Sequence, residues 1–469
     1  MKKTKIVCTI GPASASPKVL RQMIQEGMDV ARLNFSHGTI EEKIKTIRKI
    51  RSISSRLNKY VGILVDLGGP KFRLGKVEKG TCLVKGKTVV LSKDTSIGNA
   101  TQLTLNRQEL ISQLKVRDRV MISDGQLQLK VIEAGSTAVK CRVIIGGDLK
   151  DGAGLNMPDT KIDIPSMTRK DRADLKVCIK EKVDFIGLSF VRSAEDIELC
   201  RKIIKKEKTD IFIIAKMEKA EAIEKYKEII QAADGVMVAR GDLGIEVELA
   251  KVPLIQKKII NYANRSGKPV ITATEMLLSM VHSHRPTRAE TSDVANAIID
   301  GSDAIMLSEE TSIGENPSLV VKMMARIAET TEKNFEEIDK KKTSENKSKT
   351  LAFAVASSTV ELAKDIGASL IISPTDSGDT PRRIVKYRPN QPVIALSTSE
   401  RALQKCSLSW GVVPWKIVNR MPIEKVLPSV RSRILKEKIA DKNEQVILCA
   451  GYPFGSKENK GRIIQVEII

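Results

Sequence analysis

Short apolar runs rich in Val, Ile, Leu and Met recur along the first two-thirds of the chain, separated by longer stretches in which apolar positions return every three or four residues. Eight of the runs, residues 5–10, 30–34, 63–66, 185–189, 211–217, 235–239, 270–274 and 304–308, have the length and near-continuous apolar character of strands buried on both faces. The stretches between them include residues 40–57, 194–206, 253–265 and 317–334, which carry the spacing of helices with one buried face. Strand alternating with helix predicts a parallel sheet, and eight strands predict a closed (β/α)8 barrel of the TIM type.

The alternation breaks once, between residues 68 and 164. That stretch has Gly-rich turns, runs at 88–91, 119–122 and 138–145, and little helical period. It reads as a small all-β domain, a β-barrel inserted in the loop after the third strand. The barrel itself is then expected from residues 1–67 and 165–337. Near its end lies a charged, apolar-poor linker, residues 339–349, DKKKTSENKSK. Residues 338–469 predict a separate α/β domain, with a helix at 351–364, a strand at 369–372 and closing strands at 445–450 and 463–468.

Composition narrows the class. The 469 residues are 41% hydrophobic and 29% charged, which suits a globular protein and excludes a disordered one. No apolar run approaches the 18 or so residues of a membrane span, and MKKTKIVCTI lacks the features of a secretory signal. Seven scattered cysteines without a CxxC pair argue against a disulfide framework or zinc site and for a reducing compartment; a cytoplasmic location is expected. The net charge is +22. Basic and acidic residues are interleaved and aromatics are only 3%, so neither nucleic acid nor a membrane is expected as partner, and most of the surplus reads as solvated surface.

In such a barrel the chemistry lies at the carboxyl ends of the strands. Those ends carry Arg32, Asn34 and Ser36; Asp66; Ser189 and Arg192; Lys216 and Glu218; Arg240 and Asp242; Thr274 and Glu275; Ser308, Glu309 and Glu310. Glu218 and Asp242 end neighbouring strands, so their carboxylates can converge on one hard divalent cation, with substrate and water completing the octahedron that Mg²⁺ prefers. Arg32, Arg73 and Lys216 supply positive charge suited to a phosphate or carboxylate substrate. Thr274 offers a hydroxyl able to orient water or relay a proton. His282 and His284 stand on a loop with no third ligand and read as exposed. No GxGxxG or GxxxxGK[ST] follows a strand.

The segments CTIGPAS from Cys8, ARLNFSHG from Ala31, AKMEKAEAI from Ala215, MVARGDLGIEVEL from Met237, TATEML from Thr272 and RPTRAETSDVANAIIDGSDAIMLSEET from Arg285 resemble, in order, the signature segments of pyruvate kinases. The resemblance implies phosphoryl transfer from phosphoenolpyruvate to ADP followed by protonation of the enolate to pyruvate. It implies Mg²⁺ on Glu218 and Asp242, and a second Mg²⁺ arriving with the nucleotide. Lys216 and Arg32 would act on the transferring phosphoryl group, and the backbone at Gly241 and Asp242 would take the carboxylate. Thr274 and Ser308 would lie on the proton-delivery side, Asn34, His37 and Arg73 on the nucleotide side, and Asp124 on the closing lid. The resemblance makes the inserted β domain a lid over the site and the last α/β domain regulatory, and a homotetramer is the family's usual assembly.

Departures from the family pattern carry their own expectations. Its usual DTKGPEIR reads DLGGPKFR at residues 66–73. In potassium-requiring members K⁺ sits among positions matching Asn34, Ser36, Asp66 and Leu67, balanced by the Glu. Lys71 replaces that Glu and brings an ammonium to the vacancy, so K⁺ is not expected to be required. Ala153, Glu275, Leu278 and Glu309 also depart from the usual residues. In the last domain SPTDSGDTPRR, from Ser373, resembles the family's effector loop, with Thr375, Ser377 and Thr380 as candidate contacts for a phosphorylated effector. Asp379 there argues against a bisphosphate sugar, which leaves a monophosphate (AMP or a sugar monophosphate) as activator, or no effector at all.

Overall fold

The computed structural model describes residues 2–93, 97–334, 350–452 and 461–469. The eight barrel strands are β1 (Lys5–Thr9), β2 (Val30–Asn34), β3 (Gly62–Asp66), β4 (Phe185–Leu188), β5 (Phe212–Met217), β6 (Gly235–Ala239), β7 (Val270–Ala273) and β8 (Ala304–Leu307). All pair in parallel, and β8 returns to β1 with Lys5 opposite Ala304, closing the barrel. Every one of the eight runs predicted from the sequence is a barrel strand.

Residues alternate between the two faces of each strand, and the alternation organises the core. Val7, Val30, Leu64, Phe185, Ile214, Met237, Ile271 and Ala304 pack together inside the barrel. Their neighbours Cys8, Ala31, Ile63, Ile186, Ile213, Val236, Val270 and Ile305 face outward into the layer under the helices. Several of those helices start where their sequences carry caps. Thr39 and Glu42 form a capping box for the helix Ile40–Arg56, and Thr287 and Glu290 do so for Arg288–Ile299, each box satisfying N–H groups otherwise left without partners.

At the opposite, amino-terminal end, an aspartate precedes every second strand and accepts the backbone N–H of the neighbouring strand. Asp29, Asp184, Asp234 and Asp303 take Ile6, Ile63, Ile213 and Val270. The last domain docks on this end. Its Arg388 pairs with Asp303 at 3.1 Å, its Lys405 with Asp210, and barrel Lys3 donates to Asn390 O at 2.8 Å. That domain has a five-stranded sheet, parallel except for its last strand, Gly461–Ile468. The expected linker, residues 339–349, and the expected boundary at residue 337 fall outside the described residues. Among the described residues no helix is long and apolar enough to cross a membrane.

The lid leaves the barrel after β3. Its six-stranded sheet runs from Leu155–Asn156 at one edge to Gln102–Thr104 at the other. Among the described residues the two edges meet through single bridges, Arg73 to Gly154 and Leu74 to Leu105. The expected barrel shape is therefore closed by one two-residue segment of the lid's own stem rather than by a full strand.

Candidate active site at the barrel rim

The period-two alternation that buries Val30, Leu64, Phe185 and Ile214 inside the barrel puts Arg32, Asp66, Gly187, Ser189, Lys216 and Glu218 on the same inner faces, one or two steps nearer the carboxyl end. An apolar plug thus carries a charged layer on top of it. Arg32 donates from Nε and Nη2 to Asp66 Oδ2 at 2.9 and 2.6 Å, and from Nη1 to Thr9 Oγ1 at 2.9 Å. Lys216 Nζ lies 2.5 Å from Glu218 Oε1 and 3.4 Å from Asp66 Oδ2, and donates to Ser189 Oγ at 2.9 Å. Asp66 fits because residue 187 is glycine: a Cβ there would fall 2.0 Å from Asp66 Oδ1.

The charges are mutually consistent. Burial disfavours the charged form of Asp66, but Arg32 and Lys216 outweigh it and hold its carboxyl below the usual range. Burial likewise opposes the Lys216 ammonium, yet Asp66, Glu218 and Asp242 keep it charged well above the ordinary lysine value. Asp242 is open to the cleft yet deep within it. Burial first, and the Glu218 charge second, push its pKa up. Two carboxylates that repel one another in a confined space favour a shared cation.

Other features of the carboxylates fit Mg²⁺. Glu218 Oε2 accepts the Phe190 N–H at 3.0 Å, whereas Oε1 accepts no hydrogen bond and is faced by the Lys216 ammonium. No cluster of three or more His, Cys, Asp or Glu side chains able to hold a metal occurs among the described residues. Glu218 and Asp242 could offer oxygen ligands to such an ion, with the other positions left to substrate and water, as Mg²⁺ tolerates. Around them lies a cleft of ≈ 220 Å³ between barrel and lid, lined by Arg32, Asn34, Ser36, Lys71, Arg73, Asp124, Lys216, Glu218 and Asp242 among others.

The family model described as pyruvate kinase, barrel domain, matches residues 1–321, and that described as pyruvate kinase, alpha/beta domain, matches residues 353–464. The chain belongs to the pyruvate kinase family. It is 40% identical over 464 residues to a pyruvate kinase of Staphylococcus epidermidis, covering 97% of this chain and 79% of the relative. A pyruvate kinase of Staphylococcus aureus is 40% identical over 462 residues, covering 97% and 78%. Among solved structures, a pyruvate kinase from Cryptosporidium parvum superposes with a TM-score of 0.92 at 35% identity, covering 100% of this chain and 96% of that one. As a pyruvate kinase the chain has phosphoenolpyruvate and ADP as its substrates.

Thr274 and Gly241 meet directly, the Gly241 N–H donating to Thr274 Oγ1 at 2.8 Å. Thr274 and Glu275 both have positive φ, 71° and 53°, and the turn is clamped by Arg240, which donates to Thr274 O at 2.7 Å and is held by Asp293 at 2.7 Å. Ser308 stands one strand further round, where its N–H donates at 2.6 Å to the buried Glu310. His37 is exposed, and burial, Lys71 and Arg73 together lower its pKa. Leu67 is buried.

Of the effector candidates, Ser377 is exposed and Thr380 half-buried. Thr375 is buried and its hydroxyl accepts the Gly378 N–H at 2.9 Å. Asp379 pairs with Arg382 at 2.7 Å and Arg383 at 3.9 Å. His282 and His284 are exposed, with His282 Nδ1 3.1 Å from Glu315. Sequence reasoning missed Thr9, Gly187 and Phe190. Thr9 was findable as the polar end of its strand; the other two gave no signal apart from the packing they permit.

Proposed function

We propose that the protein transfers the phosphoryl group of phosphoenolpyruvate to ADP in an Mg²⁺-dependent reaction that does not require K⁺. The observation that carries this reading is the layer of Arg32, Lys216, Glu218 and Asp242 facing one cleft. Bound at Glu218 and Asp242, Mg²⁺ would supply positive charge to the substrate's oxygens. Arg32, already fixed by Asp66 and Thr9, holds the phosphate. Lys216 places its ammonium where charge gathers on the phosphoryl group as it moves, in a transition state with weak bonds to both oxygens. The Gly241 and Asp242 backbone orients the carboxylate. Thr274 and Ser308 stand on the side from which a proton reaches the enolate carbon. Asn34, His37 and Arg73 receive the nucleotide with a second Mg²⁺, and the lid excludes water that would intercept the phosphoryl group. Pyruvate release coupled to NADH oxidation, with phosphoenolpyruvate, ADP and Mg²⁺ supplied, tests the reading.

Lys71 supports K⁺ independence. It lines the same cleft, and its pKa is lowered by burial first, then by Arg73 and Lys216, against the opposing pull of Asp242 and Glu218. Its ammonium therefore lies in the electrostatic field of Arg73, Lys216, Asp242 and Glu218, in a cleft that Asn34, Ser36 and Asp66 also line. A charge held covalently and preorganised replaces one that must bind. Rates in K⁺ and in tetramethylammonium are expected to agree within about two-fold; strong activation by K⁺ contradicts this.

A cytoplasmic homotetramer is proposed from the family resemblance. So is a phosphorylated effector at Thr375, Ser377 and Thr380, although the engaged Thr375 hydroxyl and the Asp379–Arg382 pair leave less of that loop free. Activation by AMP or a sugar monophosphate, and not by a sugar bisphosphate, is the expected outcome. A phosphoenolpyruvate saturation curve unmoved by all of them rejects the site.

A further inference from the structure

One charged cluster beside the site takes no part in the chemistry described above. Lys219 and Glu246 pair at 2.6 Å with side chains only 6% and 2% exposed. Lysine and glutamate are rarely buried so completely, and such a pair is retained at a desolvation cost that surface pairs do not carry. Lys219 directly follows Glu218. Glu246 lies four residues beyond Asp242, one turn along the helix Arg240–Glu246. The ion pair therefore ties together the two segments that carry the metal-binding carboxylates.

The lid reaches the same pair. Asn156, on the lid's edge strand, donates from Nδ2 to Glu246 Oε1 at 2.9 Å. A second thread runs through Phe190. Its N–H holds Glu218 Oε2 at 3.0 Å, its ring lies 5.5 Å from the Lys219 ammonium, and it packs edge-on against Phe72 of the lid stem at 6.1 Å between centroids. The stem approaches so closely that a Cβ on Gly69, which has φ +63°, would fall 2.5 Å from that ring.

We propose that Lys219, Glu246 and Asn156, with Phe190, form a buried latch through which docking of the lid fixes the relative placement of Glu218 and Asp242. These are positioning residues. The inference rests on the reading of Glu218 and Asp242 as the metal carboxylates. With the lid docked, Glu246 has both donors and Phe190 has its ring partner. With the lid away, Glu246 loses the Asn156 hydrogen bond and Phe190 loses Phe72, loosening the carboxylates where a cation must bind. Lid closure and cation binding then reinforce one another, as two events that stabilise one conformation must.

Asn156→Ala removes only the lid's hydrogen bond, and Asn156→Asp keeps its shape while setting a like charge beside Glu246. In the full-length protein without ligands, hydrogen exchange of lid amides is expected to quicken about ten-fold in Asn156→Ala, the worth of one hydrogen bond to a charged group, and further in Asn156→Asp. The Mg²⁺ concentration for half-saturation, read by calorimetry with phosphoenolpyruvate present, should rise about five-fold, with kcat reduced and KM for phosphoenolpyruvate within about two-fold. Lid exchange equal to the parent's in both variants overturns the latch. So does faster lid exchange with unchanged Mg²⁺ half-saturation. A parent protein without Mg²⁺-dependent turnover overturns the underlying reading instead.

Discussion

Replacing Lys216 by methionine is expected to lower turnover by about 10³- to 10⁵-fold, what a cationic side chain on the transition-state charge of a moving phosphoryl group is worth. Methionine matches the length and apolar stem of lysine, so the change deletes the ammonium and little else. That ammonium is buried and held by Glu218, Asp66 and Ser189 at 2.5, 3.4 and 2.9 Å, leaving it no rotamer freedom to lose when substrate arrives. The deletion also leaves Glu218 facing an apolar group, at a stability cost of about 3 kcal/mol for breaking one side of a buried pair. Asp66 keeps Arg32, which limits the damage. Lys216→Arg separates the two effects: it restores a charge and most of the stability, but its planar fork does not reproduce a compact ammonium, and turnover stays low. Steady-state kinetics with thermal denaturation of both variants checks this. Lys216→Met with near-parent turnover overturns the assignment.

The second large effect is expected at Glu218. Glu218→Gln keeps the shape and the acceptor for the Phe190 N–H but removes the charge that, with Asp242, would make the proposed oxygen site for a divalent cation. Turnover at fixed Mg²⁺ should fall about 10³-fold. Calorimetric titration of Mg²⁺ in the presence of phosphoenolpyruvate should show affinity weakened at least about ten-fold, as expected when one of two carboxylate ligands is neutralised. Relieved of its neighbour's charge, Asp242 also loses one of the causes that raise its pKa. Unchanged Mg²⁺ affinity in this variant would place the cation elsewhere.

The barrel was legible because each strand is buried on both faces and reads as an apolar run, with amphipathic helices between. The rim was legible for a related reason. A charged residue directly after such a run, as with Lys216 after Ile213–Ile214–Ala215, sits where burial makes it expensive without a purpose. What stayed hidden depends on convergence in space. Gly187 is indistinguishable from any strand glycine until Asp66 is seen lying across it. Lys219 and Glu246 read as two more solvated charges in a chain of +22, yet they form one of its most buried ion pairs. The single bridges that close the lid through Arg73 and Leu74 leave no periodicity to detect. The charge surplus itself proved a poor guide: its informative members are the few cations held in the cleft.

The central claim is that one buried layer of Arg32, Lys216, Glu218 and Asp242 transfers a phosphoryl group to a nucleotide rather than to water. Following phosphoenolpyruvate, ADP, pyruvate, ATP and inorganic phosphate together by ³¹P and ¹H NMR tests it directly. Pyruvate and ATP appearing in equal amounts, abolished when EDTA removes Mg²⁺, is the predicted result. Pyruvate appearing with inorganic phosphate in place of ATP, or no turnover with Mg²⁺ present, would contradict it.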